Sequence, residues 1–518
     1  MTSVVLGQFG PRQNIDTNSQ STRTLLAGDL DSDGDEDLLV SAFNMLVWYE
    51  NEDGLGTFSD IKIINSGYGQ GFAIDIADLD NDTDLDIVYT SFDESLVIWY
   101  ENLDGQGTFS GDKVISTQAP GANEVTTADL DGDGDLDVVI GTDFDRKIYW
   151  FENLDGAGDF GPIQLITNQT NSRSVRAADF DGDNDLDLVV SWFAPTNILW
   201  FENLDGLGNF GTANVISNAD TNVSEVHPVD IDNDGDMDVY VGASSTSNGD
   251  SKLMRNNGDG TFTDVTAGSG VLAAQLGIEN APADFDNDGY VDILSNGDIL
   301  FNNGDFTFAN FANNVPPSGA IGDINNDGFL DVFRSGQIYV NNTNSNNWVK
   351  INTVGNVSNY NGIGARVELV TASGTQIRDV RSGEGFEFMS SLNTHFGIGT
   401  ETSISSITIY WPSGIIDVVP NPTINTTHNI IEGSFLSIED QALNDMIIHP
   451  NPVDAVLTIE TSADVVDKIA TVFDINGKRV LNLKLESNTL NVSSLESGIY
   501  FLRLESYGKT MKRKFIKK

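Results

Sequence analysis

The chain has 518 residues, 78 of them acidic and 26 basic, for a formal net charge of −52, and it contains no cysteine. That balance excludes the basic face needed by a nucleic-acid binder or by a protein held electrostatically on anionic lipid. The missing thiols exclude disulfides and thiolate metal sites, and no apolar run is long enough for a transmembrane helix.

Charge of this size strains a compact state by self-repulsion unless it is solvated or neutralised. The acids are clustered, which points to bound cations. Because calcium is abundant outside cells, cation staples in place of disulfides point to an exported protein. The opening stretch, Met1 to Gly10, has neither a basic segment nor a long apolar one, so no signal peptide is visible.

Internal repeats organise the first two thirds of the chain. A nine-residue acidic segment recurs seven times, as DLDSDGDED from Asp29, DLDNDTDLD from Asp78, DLDGDGDLD from Asp129, DFDGDNDLD from Asp179, DIDNDGDMD from Asp230, DFDNDGYVD from Asp284 and DINNDGFLD from Asp323. Successive starts lie 49, 51, 50, 51, 54 and 39 residues apart. A second motif follows each of the first four loops: WYENEDGLGTF from Trp48, WYENLDGQGTF from Trp99, WFENLDGAGDF from Trp150 and WFENLDGLGNF from Trp200. Relatives such as MRNNGDGTF from Met254 and FNNGDFTF from Phe301 follow later loops. LLVSAF, DIVYTSF, DVVIGT and DLVVSW read as strands, and Gly, Asn and Asp punctuate every unit. About four short strands per repeat of roughly 50 residues predict an all-β chain that opens with a seven-bladed β-propeller. Leu6 to Gly10 repeats the end of a unit, Leu207 to Gly211, so the first strand is expected to complete the last blade.

The loop pattern D-x-D-x-D-G-x-x-D presents side-chain oxygens at positions one, three, five and nine and a carbonyl at position seven. That hard, all-oxygen shell suits Ca²⁺. The predicted ligands are Asp29, Asp31, Asp33, Asp35 and Asp37 in the first loop, and Asp78, Asp80, Asp82, Asp84 and Asp86 in the second. Asp129, Asp131, Asp133, Asp135 and Asp137 form the third, and Asp179, Asp181, Asp183, Asp185 and Asp187 the fourth. The fifth has Asp230, Asp232, Asp234, Asp236 and Asp238. The sixth has Asp284, Asp286, Asp288, Tyr290 and Asp292, and the seventh Asp323, Asn325, Asp327, Phe329 and Asp331. Up to seven Ca²⁺ ions are expected, one per blade. Position six needs a left-handed turn, which glycine permits and Thr83 resists, with Asn184 between them. An EF-hand shares the opening of this pattern, but it needs flanking helices and a glutamate at position twelve, where the first loop has Val40.

These motifs resemble the FG-GAP/VCBS repeat family, whose members form seven-bladed propellers with calcium loops. Domain 1–347 is read as that propeller. Domain 348–438 contains SNYNGIGARVEL, HFGIG from His395 and WPSG from Trp411, and it resembles the ASPIC/UnbV domain found in cartilage-acidic-protein-like chains. Its alternating strands predict a small antiparallel β-sandwich-like fold. After a linker at 439–445, segment 446–518 resembles the C-terminal sorting domain of the type IX secretion system. The matching pieces are Asn451-Pro452, Asp474 to Lys478, Gly498-Ile499-Tyr500 and a Lys-rich final strand. That resemblance implies a C-terminal β-sandwich, a Bacteroidota-type source, recognition by the secretion machinery and a secreted or outer-surface location. Such cargo first needs an inner-membrane signal peptide, so the true N-terminus is expected to lie outside this chain or to have been trimmed.

No catalytic constellation is evident. Among four histidines, His227 breaks the repeat just before the fifth loop, where the other units are read as having Ala or Thr. The repeated Trp48, Trp99, Trp150 and Trp200 are expected to pack between blades, whereas Trp192 departs from the pattern. Arg146, Lys147, Arg173 and Arg176 are rare cations in an acidic region and suit either an anionic glycan or charge balance. The expected function is a monomeric, non-catalytic binding or adhesion module for an extracellular glycan or protein. The alternative is a lyase-like polysaccharide-degrading enzyme.

Overall fold

The computed structural model describes residues 8–15, 22–69, 71–168, 172–192, 197–217, 223–243, 251–273, 280–311, 315–383, 388–435, 447–460, 468–474, 478–485, 487–495, 497–506 and 509–518. The chain divides into two compact units, one of residues 1–415 and 419–434, the other of residues 416–418 and 435–518.

The repeats in the first unit fold as antiparallel four-stranded meanders, the sheet of a β-propeller. The second repeat is representative: Gly71–Ala77 pairs with Asp86–Ser91, then Leu96–Tyr100, then Lys113–Ser116. Among the described residues seven sheets of this kind follow one another. Their first strands touch in succession, and Ala320–Gly322 of the last meets Thr22–Gly28 of the first, which closes the ring. The sequence logic is visible in burial. The second and third strands, such as Asp86–Ser91 and Leu96–Tyr100, are buried almost throughout because neighbouring sheets cover both faces. Outer strands such as Lys62–Ser66 are partly or fully open to solvent along their length.

The ring is sealed by the chain's beginning. Gln13–Asn14 pairs with Gln337–Tyr339 as the outer strand of the last sheet, and Phe9 bridges to Asn341. Phe9 is buried and meets the Phe285 ring edge-on at 5.9 Å.

Residues 347–415 and 419–434 belong to the same unit as the ring. Asn347–Val354 lies between Thr394–Gly399 and Thr427–Ile431, and Arg366–Val370 lies between Thr375–Asp379 and Ser406–Tyr410. The pairing of Asn347–Val354 with Thr427–Ile431 is parallel, a departure from the purely antiparallel expectation. One cluster of buried side chains runs from the second and third sheets, through Leu79, Trp99 and Leu136, into Val349, Ile363, Phe396 and Trp411. A segment of this region also enters the centre of the ring: Phe388–Met389 pairs in parallel with the innermost strand of the first sheet.

The second unit has two sheets. One contains Ile447–His449, Val456–Glu460 and Thr489–Asn491, and the other Arg479–Lys484, Ile469–Asp474, Gly498–Ser506 and Lys509–Lys517. Leu457, Ile459, Val472, Leu490, Leu502 and Phe515 form its core. The Lys-rich end is a strand of this sheet, paired in register from Lys509 to Lys517.

Phe9→Ala should lower unfolding stability by about 3–5 kcal/mol through the cavity it leaves at the closing seam. Urea denaturation followed by tryptophan fluorescence measures this, and a loss under about 1 kcal/mol would mean the seam does not hold the ring.

Candidate metal centres

Each acidic segment wraps into a tight loop between the first and second strands of its sheet. The first aspartate initiates it: Asp29 accepts hydrogen bonds from the backbone N–H groups of Asp33 (3.1 Å) and Gly34 (3.0 Å). Asp33 in turn accepts from the N–H of Asp35 at 3.0 Å. Short carboxylate side chains compete well for local backbone donors, which is why this composition makes a turn rather than a strand. Position six is left-handed in every loop, including Thr83 at φ 85° and Asn184 at φ 73°. Thr83 carries the strain expected of a β-branched residue there. Position four is left-handed too, as at Asn81, Gly132 and Asn233.

These turns bring positions one, three and five together. The carboxylates of Asp29, Asp31 and Asp33 offer oxygens within 4.8 Å of one another, as do Asp78, Asp80 and Asp82; Asp129, Asp131 and Asp133; and Asp230, Asp232 and Asp234. In the fourth loop the group is Asp179, Asp181 and Asp187, which draws in position nine. Such groups can hold a metal ion. The Oδ1 atoms of Asp31, Asp80, Asp181 and Asp232 are buried without a hydrogen-bond partner, and a buried acceptor of this kind calls for a charge partner. A hard dication fits this donor set.

Position seven is different. The side chain of Asp35 accepts from Asn326 Nδ2 of the seventh loop, and that of Asp135 accepts from Asn81 Nδ2 of the second, each at 2.8 Å. These carboxylates link neighbouring loops and leave only the carbonyl at position seven for an ion. In the first loop the Asp35 side chain lies against Gly54 of the second motif, where a Cβ would come within 2.3 Å of Oδ1.

Position nine is the most buried of all. Asp37, Asp86, Asp137, Asp187, Asp238, Asp292 and Asp331 are each at most 1% exposed. Asp137 accepts from the N–H of Leu130 (3.1 Å) within its own loop and from the N–H of Asn153 (2.9 Å) in the second motif. Asn153 Nδ2 then crosses to the preceding loop and donates to the Leu79 carbonyl at 2.8 Å. The same bond recurs around the ring from Asn102 to Leu30, Asn203 to Leu130, Asn256 to Phe180, Asn302 to Ile231 and Asn341 to Phe285, at 2.8–2.9 Å. Asn51 Nδ2 to the Ile324 carbonyl, at 2.9 Å, completes the circle. This asparagine recurs in every second motif, which is the one signal of it that the sequence carries.

Burial, reinforced by neighbouring carboxylates, pushes the Asp37, Asp86, Asp137, Asp187 and Asp238 carboxyls up to about 8 in the absence of an ion. The same causes raise Asp78, Asp129 and Asp230 to about 7.

The remaining candidates are mostly structural. Trp48, Trp99, Trp150 and Trp200 are buried, and each lies against a glycine of the next repeat: Gly107, Gly158, Gly208 and Gly260. His227 is buried, lies 3.2 Å from Glu225 Oε2 and stacks on Tyr240. Strand register sets it opposite Tyr240, and its counterparts are Thr126, Ala281 and Ala320 in three repeats, as expected, but Leu26, Asp75 and Arg176 in the others. The space beside it, lined by Arg176, Arg381 and Ser382, is only about 10 Å³. Arg176 is buried and paired with Glu124. Lys147 pairs with Asp145 at 3.1 Å, and Arg146 is exposed. The side chains of Trp192 and Arg173 lie outside the described residues. His395 is buried, bonds the Gly328 carbonyl at 3.1 Å, and is pushed down to about 4 by burial. His428 bonds the Thr423 carbonyl at 2.9 Å.

Residues 347–383 and 388–399 rest on the acidic loops. Asn361 Oδ1 accepts from the N–H of Asp78 (2.8 Å), Gly399 N–H donates to the Asn287 carbonyl (2.8 Å), and Asn393 Nδ2 donates to Glu36 (2.9 Å). Lys350 Nζ lies 2.9 Å from Asp323 Oδ2. At the ring centre Ser382 Oγ donates to Asp75 Oδ2 at 2.6 Å.

Fold and loops together define a propeller with acidic, cation-competent loops, capped on the loop side by a further β region. The FG-GAP-like repeat family matches residues 29–89, 78–140, 129–190 and 243–295, the ASPIC and UnbV family residues 355–436, and the secretion system C-terminal sorting domain residues 447–518. The chain thus carries FG-GAP-like repeats, an ASPIC/UnbV domain and a type IX sorting domain. The sorting domain implies engagement with the secretion machinery and delivery to the cell surface or beyond. No curated protein matches the chain. Among solved structures it is similar to a lectin from Agrocybe aegerita that recognises non-reducing terminal N-acetylglucosamine (21% identical, 57% of this chain and 82% of that one covered, TM-score 0.42). It is also similar to the rhamnogalacturonan lyase YesW (12% identical, 62% and 72% covered, TM-score 0.39). A third is PorZ, a surface component of the type IX secretion system of Porphyromonas gingivalis (10% identical, 96% and 82% covered, TM-score 0.22). No helix among the described residues is long and apolar enough to cross a membrane.

Raised carboxyl values mean that the ion-free fold holds more protons than the unfolded chain. The stability that these carboxyls contribute is fullest below about pH 4 and is lost as pH rises towards 8. A divalent cation replaces those protons. The melting temperature of chelator-treated protein should therefore fall between about pH 5 and pH 8, and the gain on adding calcium salt should grow over the same window. Scanning fluorimetry at both values checks this, and a calcium increment larger at the lower pH contradicts it.

Proposed function

We propose that the chain is a secreted, calcium-stabilised propeller that binds an extracellular glycan or protein without catalysis and works as a monomer. Its modules are taken as 1–347, 348–438 and 446–518, with 439–445 as linker. Calcium is assigned to the loops because their ligand set is oxygen only, flexible in geometry and rich in charge. Each ion would be held by the carboxylates at positions one, three and five, with position nine and the position-seven carbonyl completing the shell. Bound there, it would neutralise the loop and fix the turn between two strands.

The observation that favours binding over catalysis is the setting of His227. A base for β-elimination must reach a proton on the sugar. His227 is instead buried against Tyr240 and Glu225, beside a space smaller than a single sugar ring. The loop side is met by residues such as Lys350, Asn361, Asn393 and Gly399, so ligand is assigned to the opposite side, where the turns between second and third strands lie. Phe144 is exposed there and packs against Phe92, which packs against Phe72, with ring centroids 4.8 and 4.6 Å apart. Aromatic faces of this kind suit the apolar face of a sugar or an apolar side chain.

Calcium-loaded protein tested on a panel of acidic and neutral polysaccharides, with binding and ultraviolet absorbance of unsaturated products recorded together, separates the two readings. Binding without product growth, weakened at least tenfold by Phe144→Ala, is expected. Product growth abolished by His227→Ala would replace the binding reading with a lyase.

A further inference from the structure

The seventh loop departs from the other six in how its charge is met. Lys350, on strand Asn347–Val354, reaches into it and sets Nζ 2.9 Å from Asp323 Oδ2 and 3.3 Å from Asn326 Oδ1. Both ends of this pair are buried, with side chains 5% and 0% exposed. Asp323 is the first-position carboxylate, which in the other loops anchors the turn and faces positions three and five. In this loop Asp323 Oδ2 also accepts from the Gly328 N–H at 3.0 Å, so the ammonium and the turn share one oxygen.

Position three is altered in the same direction. Asn325 donates its Nδ2 to Asp327 Oδ2 at 3.1 Å, placing a hydrogen-bond donor where the other loops present a carboxylate. An N–H aimed at the position-five carboxylate occupies a lone pair that a cation would need. The neighbouring residues fix the arrangement. His395, which pairs with Lys350 across the strands, bonds the Gly328 carbonyl at 3.1 Å, and Trp348 lies so close to Gly328 that a Cβ there would come within 1.8 Å of its ring. Among the described residues no other first-position aspartate forms an ion pair, although Arg366 acts electrostatically on Asp179 and Arg378 on Asp230 and Asp284; the fifth loop has a further basic neighbour, Arg255, 3.0 Å from Asp234. That side chain is 45% exposed and sits at the outer edge of an otherwise complete carboxylate group.

We propose that the seventh loop is not a cation site but the socket for Lys350, whose ammonium takes the place of the ion and pins the ASPIC/UnbV domain to the ring. The inference rests on the calcium reading for the other loops. It makes the domain an integral part of the propeller's charge balance. Removing Lys350 leaves the buried Asp323 carboxylate without its charge partner, whereas removing both charges relieves the imbalance.

The test uses the full chain with Ca²⁺ as the probe. Bound calcium is counted by equilibrium dialysis for the parent, Asp129→Asn, Asp323→Asn and Lys350→Met, and melting is followed in calcium and in EGTA. Of the seven loops, six are expected to fill in the parent. Asp129→Asn should lose one ion and Asp323→Asn none. Lys350→Met should melt lower than the parent in calcium and in EGTA alike, with part of the loss recovered in the Lys350→Met/Asp323→Asn double variant. An Asp323→Asn protein that binds one ion fewer than the parent overturns the proposal. So does a Lys350→Met protein that melts like the parent in EGTA. Absence of calcium from every variant would refute the calcium reading alone, and the EGTA melts would still decide for or against the Lys350 socket.

Discussion

The buried carboxylate at position nine of each acidic loop is the joint on which the ring depends. A carboxylate removed from water is costly unless its oxygens are satisfied. In the third repeat Asp137 meets that cost with two backbone N–H donors, one from its own loop and one from Asn153. The latter bond fixes Asn153 so that its amide crosses to the Leu79 carbonyl of the preceding loop. Strand pairing holds each sheet together internally, but these asparagine bonds tie one loop to the next. They make the loops, and whatever neutralises them, part of the interface between sheets. A cation bound at positions one, three and five would therefore stabilise a joint shared by two repeats.

The ASPIC/UnbV region extends the same economy. It lies on the loop side of the ring and contacts the loops through Asn361, Lys350, Asn393 and Gly399. It also sends a short strand and Ser382 into the centre, where the innermost strands carry Asp75, Glu124, Arg176, Glu225 and His227. A polar ring centre is expensive if left dry and unpaired. Here Ser382 meets Asp75, and Arg176 meets Glu124. The residues that departed most from the repeat are thus concentrated where the channel is filled.

Much of this was legible in the sequence because repetition multiplies weak signals. One acidic turn is ambiguous, but seven in register, each followed by a strand-rich segment, leave an all-β repeat as the reading. The left-handed backbone at Thr83 and Asn184 followed from their place in the loop pattern, and it is present. Closure by the chain's first strand followed from the match of Leu6–Gly10 to Leu207–Gly211. What escaped was long-range. Nothing local shows what Asn153 does, because its partner Leu79 is 74 positions away. Lys350 is a polar position in a strand, and nothing local announces that it faces Asp323. His227 stood out as a break in the repeat, but its burial beside Arg381 and Ser382 depends on how a later domain folds back onto the ring.

The central claim is that bound cations complete the joints between repeats. Calorimetric melting of the full chain at about pH 8, in calcium and in excess chelator, tests it most directly. Each filled site adds about 2.7 kcal/mol at a hundredfold excess over its Kd, so several sites acting on one ring should raise its transition by tens of degrees. Superimposable melts in calcium and chelator would contradict the account.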